Sequence, residues 1–551
     1  MKLRKVITLS FLTVLFMIVL ALPTFAKDVI REEDSPYSLI VGDVFVTDAN
    51  KANVLDDNTV VFDSENYILT IKNFSSEKTS TIVVDSQTGY KSFFSVFYAG
   101  EKELTVRIEG NCSFMSAVRI DHGKIEIKDA NITFSEYASA MFECEYGLIS
   151  IQNSEILVEN VEYIAPLSED RAGRRSAISA ASVEIFDSEI VCDVKNPTMD
   201  AYHDAFLSAD NDMIIENSKI SVSAPFSVFQ CALYVGNGIL GMENTRVSIE
   251  RQAIAIASIS RIFSAIDCDI KIGECENAIA AAKISLQNCS LIASTFFDAI
   301  AVQSEKSADA SVILDSKVKA TNLSQKKYES VWGKAFWNSL EDAEKAEYNN
   351  DFDTFMQTCY QNQPYSQMQC GMIIVDGTLG VENSKIILKG YDVGVYTQGE
   401  TYFKLKNGVR MNVKANDAAF LMVSAVLISP FFESDTFRAF GKELVNVTLD
   451  QQLAEGGKYI FTFTSGKVDV GTLSSDASWA SVLDAVNGAS RHVRIYTAGA
   501  ISMWLIVLLF FAGTIIVLVT LALVLICVLP KPEKEQKENS KNEGEAKADE
   551  A

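Results

Sequence analysis

The sequence predicts an all-β fold. It is a parallel β-helix solenoid with an N-terminal β-rich cap, a helical insertion, a small juxtamembrane α+β module and one C-terminal transmembrane helix. Three observations predict it. The first is a recurring segment: ISIQNSEILV (149–158), VEIFDSEIVC (183–192), MIIENSKISV (213–222), LGMENTRVSI (240–249), ISLQNCSLIA (284–293) and LGVENSKIIL (379–388). Each has two apolar residues at alternate positions, then Asn or Asp, a small residue and a second alternating pair. Apolar residues two apart give a strand with one buried face. Asn or Asp between two such runs gives a corner, because its short side chain tolerates left-handed backbone and bonds its own main chain.

The second observation is spacing. Corners fall at Asp129, Asn153, Asp187, Asn217, Asn244, Asp267, Asn288, Asp315, Asn383 and, more weakly, Asn407, in steps of 24, 34, 30, 27, 23, 21, 27, 68 and 24 residues. All but one lie in the range of solenoid repeats. The third is a short apolar piece upstream of several corners, at 176–180, 205–209, 232–235, 278–281 and 299–302. Three short strands per turn is β-helix geometry. Small Ala and Ser let rungs stack closely, and aligned Asn corners can hydrogen-bond from rung to rung. Ten to twelve rungs at ~4.8 Å give a solenoid roughly 50 to 60 Å long.

In chain order, residues 1–26 read as a signal peptide: Lys2, Arg4 and Lys5, an apolar run, then Pro23 and small residues before Lys27. Residues 27–117 read as the β-rich cap. SLIVGDVFVT (38–47) alternates around Gly42-Asp43, and TVVFDSENYILTIKNF (59–74) is a hairpin turning at Asp63 to Asn66. The β-helix runs over 118–425. Its one long step holds an insertion, 322–368, rich in helix formers, with Trp332, Phe336 and Leu340 on one helical face lying against the solenoid wall. Residues 426–497 read as the small module. Ile501 to Leu529 is an uncharged run of 29 residues, and a spanning helix needs roughly 20. It reads as a transmembrane helix (498–530), followed by a charged, disordered cytoplasmic tail (531–551). The solenoid is then extracellular.

The formal net charge of −24 and the absence of a visible basic stripe argue against nucleic acid and anionic lipid as partners. Three His leave few members for a zinc site or a nucleophile–His triad. Of ten Cys, none forms a CxxC pair, and several stand at apolar or small positions of the repeat. They read as buried small hydrophobes rather than as a disulfide framework.

On these residues the repeat resembles the right-handed parallel β-helix of the pectin-lyase-like superfamily. The opening YSLIVGDVFVTDANKANVLDDNTVVFDSENYILTIKNF (37–74) is similar to the start of secreted carbohydrate-binding-domain proteins of Gram-positive anaerobes. The resemblance spans about 37–413. It implies the fold and a surface carbohydrate partner, and says little about activity because one fold hosts many functions.

Candidate chemistry is sparse. Asp200, His203 and Asp204 set two carboxylates beside an imidazole, suited to acid–base work or a metal, although such a cluster also suits a solvated loop of an acidic protein. Asp170, Arg171, Arg174 and Arg175 form a second charged cluster. Neither the calcium-and-arginine pattern of pectate lyases nor the paired Asp of polygalacturonases is matched. Asp48, Asp56 and Asp57 lie in an oxygen-rich loop that could hold calcium, without EF-hand spacing. Trp332, Trp337 and Tyr348 could stack on sugar rings, but at helical spacing such residues are more often core. The expectation is therefore a membrane-anchored, surface-exposed β-helix that binds carbohydrate or another surface ligand. A membrane-anchored polysaccharide lyase or glycoside hydrolase, or a structural spacer, is the alternative.

Overall fold

The computed structural model describes residues 36–75, 81–84, 91–134, 141–159, 176–194, 203–224, 229–304, 310–340, 342–361, 368–405, 409–423, 462–465, 468–470, 492–496 and 511–521. The chain divides into two compact units, Met1–Gly499 and Ala500–Ala551. The first is dominated by a parallel β ladder of the kind a β-helix solenoid requires.

Three columns of apolar side chains show how the ladder is built. After each corner, Ile156, Ile190, Ile220, Val247, Ile270, Leu291, Val318, Ile386 and Met411 pair in parallel register, strand upon strand. Before the corner, Ile151, Ile185, Ile215, Met242, Ala265 and Leu286 do the same. On the third face the column runs Ile178, Leu207, Leu233, Ile256, Ile279, Ile300, Met372, Val395. All of these side chains are buried. Because strand side chains alternate in direction, an apolar residue at every second position puts one column inside and its neighbours outside. Burying each Ile or Leu contributes about 1.5–3 kcal/mol before entropy is charged, so the stack is held mainly by these columns.

The corners behave as their chemistry requires. Asp129, Asn153, Asp187, Asn217, Asn244, Asp267, Asn288, Asp315 and Asn383 all have φ between 46° and 54°. This is the left-handed region, which Asn and Asp reach at least cost after glycine. The weaker corner Asn407 lies outside the described residues. Two further corners extend the column backwards. Asn73 (φ 51°) donates its N–H to the carbonyl of Glu109, and Gly110 (φ 72°) fills the same place in the next rung. Parallel pairing accordingly starts at Ile68–Lys72, which lies alongside Leu104–Phe114, within the stretch assigned to the cap.

The two ends of the ladder are closed by reversed strands. Val60–Asp63 pairs antiparallel with Ile68–Lys72, and Asp63 Oδ1 accepts from the backbone of Glu65 and Asn66 in the turn between them. At the other end, His492–Tyr496 pairs antiparallel with Arg410–Lys414. That strand, expected within the juxtamembrane module, thus joins the solenoid sheet. Thr462–Ser465 and Val468–Val470 form a small antiparallel pair beside it.

The helical insertion follows Lys317–Asn322. It comprises Gln325–Tyr328, a π turn at Glu329–Gly333, Lys334–Ser339, Asp342–Glu347 and Phe352–Gln361. Ser324 caps its start by accepting from the Lys327 N–H.

Among the described residues, no helix is long and apolar enough to cross a membrane. Within Ile501 to Leu529, residues 511–521 are described and helical, with exposed side chains. The rest of that run, residues 1–26, the tail and most of 426–497 lie outside the described residues. Eight cysteines are described as free and buried. They serve as small core side chains, as their positions in the repeat suggested.

Candidate functional site

The corners create the main surface feature. A groove of about 720 Å³ runs past five successive corners, Asn244, Asp267, Asn288, Asp315 and Asn383, with the residues that follow each of them. Corner side chains are tied to one another along the stack, and the Asn288–Asp267 pair lies within the groove. Asn153 Nδ2 donates to Asp129 Oδ1 (2.6 Å), Asn244 Nδ2 to Asn217 Oδ1 (2.8 Å), and Asn288 Nδ2 to Asp267 Oδ1. Each such Asn still carries a second N–H and its own carbonyl oxygen.

Behind these corners lies a second ladder, one residue further on. Ser154, Ser188, Ser218, Thr245, Ser316 and Ser384 are all buried. Each hydroxyl donates to the carbonyl two residues back, at 2.6–2.8 Å. Most also accept an N–H from the rung before: Ser188 from Ser154, Ser218 from Ser188, Ser316 from Cys289 and Ser384 from Ser316. Cys268 and Cys289 occupy the same position, with their thiols against the carbonyls of Ile266 and Gln287 at 3.1 Å. The small residue of the repeat is therefore a relay. It satisfies backbone groups that a tight corner would otherwise bury unpaired.

The sequence candidates are placed elsewhere. Asp200 lies outside the described residues, as does the cluster of Asp170, Arg171, Arg174 and Arg175. His203 and Asp204 open the third-face strand His203–Ala209. Asp48 accepts from Tyr37 Oη (2.5 Å) and pairs with Lys51 Nζ (2.7 Å), contacts that hold its carboxyl below the usual range. Asp57 accepts from the N–H and hydroxyl of Thr59. Asp56, with φ 62°, is exposed in the same loop. Among the described residues no group of three or more His, Cys, Asp or Glu converges as a metal site would.

The aromatics of the insertion are packed. Trp332, only 2% exposed, stacks on Tyr328 at 5.5 Å and donates Nε1–H to the Glu274 carbonyl. Trp337 lies 5.3 Å from Phe355, and Tyr348 5.1 Å from the same ring. Trp332 anchors the insertion to the solenoid, while Trp337 and Tyr348, both half-buried, fill the insertion's own interior.

Sequence reasoning missed a pair of carboxyls beneath this anchor. Glu276 accepts from Tyr328 Oη at 3.1 Å, and burial pushes its carboxyl up to about 7, against the pull of that hydroxyl. Asp298, which accepts from the Cys370 N–H at 2.8 Å, is pushed up to about 6, again by burial. Nothing in the sequence marks them, because their burial depends on where the rung turns and where the insertion lands.

Comparisons with family models, with curated proteins and with solved structures return no match.

Proposed function

We propose that this chain is a membrane-anchored surface solenoid that binds carbohydrate along its corner groove. The supporting observation is the groove itself, in which corner amides and carboxylates repeat from rung to rung beside an open channel that Arg246, Lys317, Lys385 and Arg410 also line. Pairs of donors and acceptors at a regular spacing suit a polyhydroxylated chain. They favour a polymer over a compact ligand, since the Asn and Asp corners recur at ~4.8 Å intervals, although the residues two positions on differ from rung to rung. The resemblance to right-handed, pectin-lyase-like β-helices supports this reading, as does the usual chirality of parallel crossovers. The signal-peptide pattern and the uncharged run Ile501 to Leu529 support an extracellular solenoid.

The test is glycan-array and cell-wall binding by the full chain in detergent, compared with Ser290→Tyr. Ser290 sits in the groove lining and points outward, so a tyrosine there fills the channel and leaves both ladders intact. Binding by the parent that is lost in the variant is the expected result. Failure of the parent to bind any glycan or wall preparation removes the proposal.

A second reading, a polysaccharide lyase or glycoside hydrolase, draws on the raised carboxyls of Glu276 and Asp298, since a protonated acid near neutral pH is what general-acid chemistry needs. Release of reducing or unsaturated ends, abolished by Glu276→Gln or by Asp200→Ala, supports it. A pure spacer shows neither binding nor release.

A further inference from the structure

We propose that the last three rungs of the post-corner sheet form a docking face for the phospholipid headgroups of an anionic bilayer. Strands Lys317–Asn322, Lys385–Lys389 and Arg410–Lys414 stack in parallel register. Their outward positions carry Lys317, Lys319, Lys385, Lys389, Arg410 and Lys414, all exposed; Lys317, Lys385 and Arg410 also line the terminal end of the corner groove, so this face and a glycan there would compete. Lys317 lies directly opposite Lys385, which lies opposite Arg410, and Lys389 lies opposite Lys414. No Asp or Glu occurs in the three strands.

This arrangement is not how the rest of the solenoid treats its cations. Elsewhere several cations meet an anion on the neighbouring rung: Arg107 with Glu126 at 2.9 Å, Lys72 with Glu109 at 3.5 Å, and Lys219, which lies opposite Arg246, with Glu189 on its other side. Like charges directly opposite each other destabilise a sheet. Among the described residues none of the six cations has an ion-pair partner. The lattice thus works against the fold that carries it, in a chain of net charge −24, and is explained by a partner outside the chain.

The geometry favours a planar partner. Three rungs at ~4.8 Å and four residues at ~3.3 Å make a flat patch of roughly 10 by 13 Å. A filament lying along the solenoid would meet the same column on every rung, and there the signs change. Going back from Lys317 the column reads Ser290, Asp269, Arg246, Lys219, Glu189 and Glu155. In this column three successive cations occur at the terminal end, whereas the pair Lys219 and Arg246 is flanked by Glu189 and Asp269. The next strand, His492–Tyr496, sets Arg494 opposite Asn412 in the register. The uncharged run begins at Ile501, with four residues (497 to 500) between it and Tyr496. On the anchoring reading above, on which this step rests, the sequence runs from this strand into the anchor.

The test reconstitutes the full chain in phosphatidylglycerol-containing nanodiscs and in phosphatidylcholine nanodiscs, and measures acetylation rates lysine by lysine. Lys317, Lys319, Lys385, Lys389 and Lys414 are expected to label several-fold more slowly in the anionic discs, and molar salt is expected to abolish the difference. Exposed Lys128, in the pre-corner part of strand Gly123–Phe134, is the internal control. Equal labelling in both discs overturns the proposal, as does protection by soluble polyphosphate without protection by anionic discs. If the chain does not enter discs at all, the anchoring reading fails separately. Flotation of the same chain with phosphatidylglycerol vesicles then tests the face alone. The double variant Lys317→Gln, Lys385→Gln is expected to weaken that binding about 30-fold, the share of two surface cations, and Lys317→Arg, Lys385→Arg to retain it. Flotation unaffected by the Gln pair overturns the proposal.

Discussion

The side-chain amide of Asn153 donates to Asp129 Oδ1 at 2.6 Å, although 24 residues of sequence separate them. Both residues hold left-handed backbone, at φ 46° and 50°. One residue type thus meets two demands, turning the chain and tying the turn to the rung before. Asn153→Gly keeps the first and loses only the tie, whereas Asn153→Val loses both. The expected cost is about 1 kcal/mol for Gly and at least ~2 kcal/mol for Val, read by denaturant unfolding.

The hydroxyl ladder makes a contrasting pair. Ser188→Ala leaves the buried N–H of Ser154 without its acceptor and is expected to cost ~1–3 kcal/mol. Cys289→Ser installs the group that most rungs already use and is expected to shift stability by less than ~1 kcal/mol. Thermal melts of the two variants check both. Equal losses would show that the ladder's polarity is irrelevant.

Gly147 tests how closely the rungs approach. A methyl group there would run into the carbonyl oxygen of Gly123 on the preceding rung. Neither backbone can yield without disturbing the parallel pairing of Leu148 with Lys124. Gly147→Ala is expected to destabilise by ~1–3 kcal/mol, visible as a lowered Tm with the circular-dichroism spectrum kept.

Glu276 predicts a pH dependence. Its carboxyl is raised from 4.5 to about 7 by burial, so the native state holds a proton that the unfolded chain releases. The associated stability is full below about 4.5 and is lost as pH rises through about 7. Asp298, raised from 3.8 to about 6, acts in the same direction. Since Tyr328 and Trp332 seat the insertion beside Glu276, its helices are expected to undock first. Protection of the amides over 325–361 relative to their intrinsic, base-catalysed exchange is expected to fall between about pH 5 and 8, and Glu276→Gln is expected to flatten the change. Protection that is flat in the parent contradicts the assignment.

The rungs were legible because their signal is local. Alternation, a corner residue and a small residue all fall within ten positions, so Asn153, Asn217 or Asn288 could be placed without knowing what lay beside them. The relay role of Ser188 was not legible. A small residue after a corner suits tight packing equally well, and only the stack shows its hydroxyl between two backbones. The groove was half visible, since alignment of the corners predicts a ladder but not an open channel beside it. Glu276 and the lysines of the last rungs were invisible for another reason. Lys317 and Lys414 are 97 residues apart (414 less 317), and what they share is a face produced by register. Net charge averages such a face away.

The reversed strands at the two ends of the ladder have a consequence for assembly. A parallel stack has no internal reason to stop, because its last rung presents the same unpaired edge that recruited the rung before it, and a second molecule could supply the next layer. Val60–Asp63 at one end and His492–Tyr496 at the other run against the stack. They take up those hydrogen bonds with strands whose polarity the repeat cannot continue. On those two faces they block continuation of the stack, and a chain cut before residue 492 is expected to offer the Arg410–Lys414 edge to a second copy.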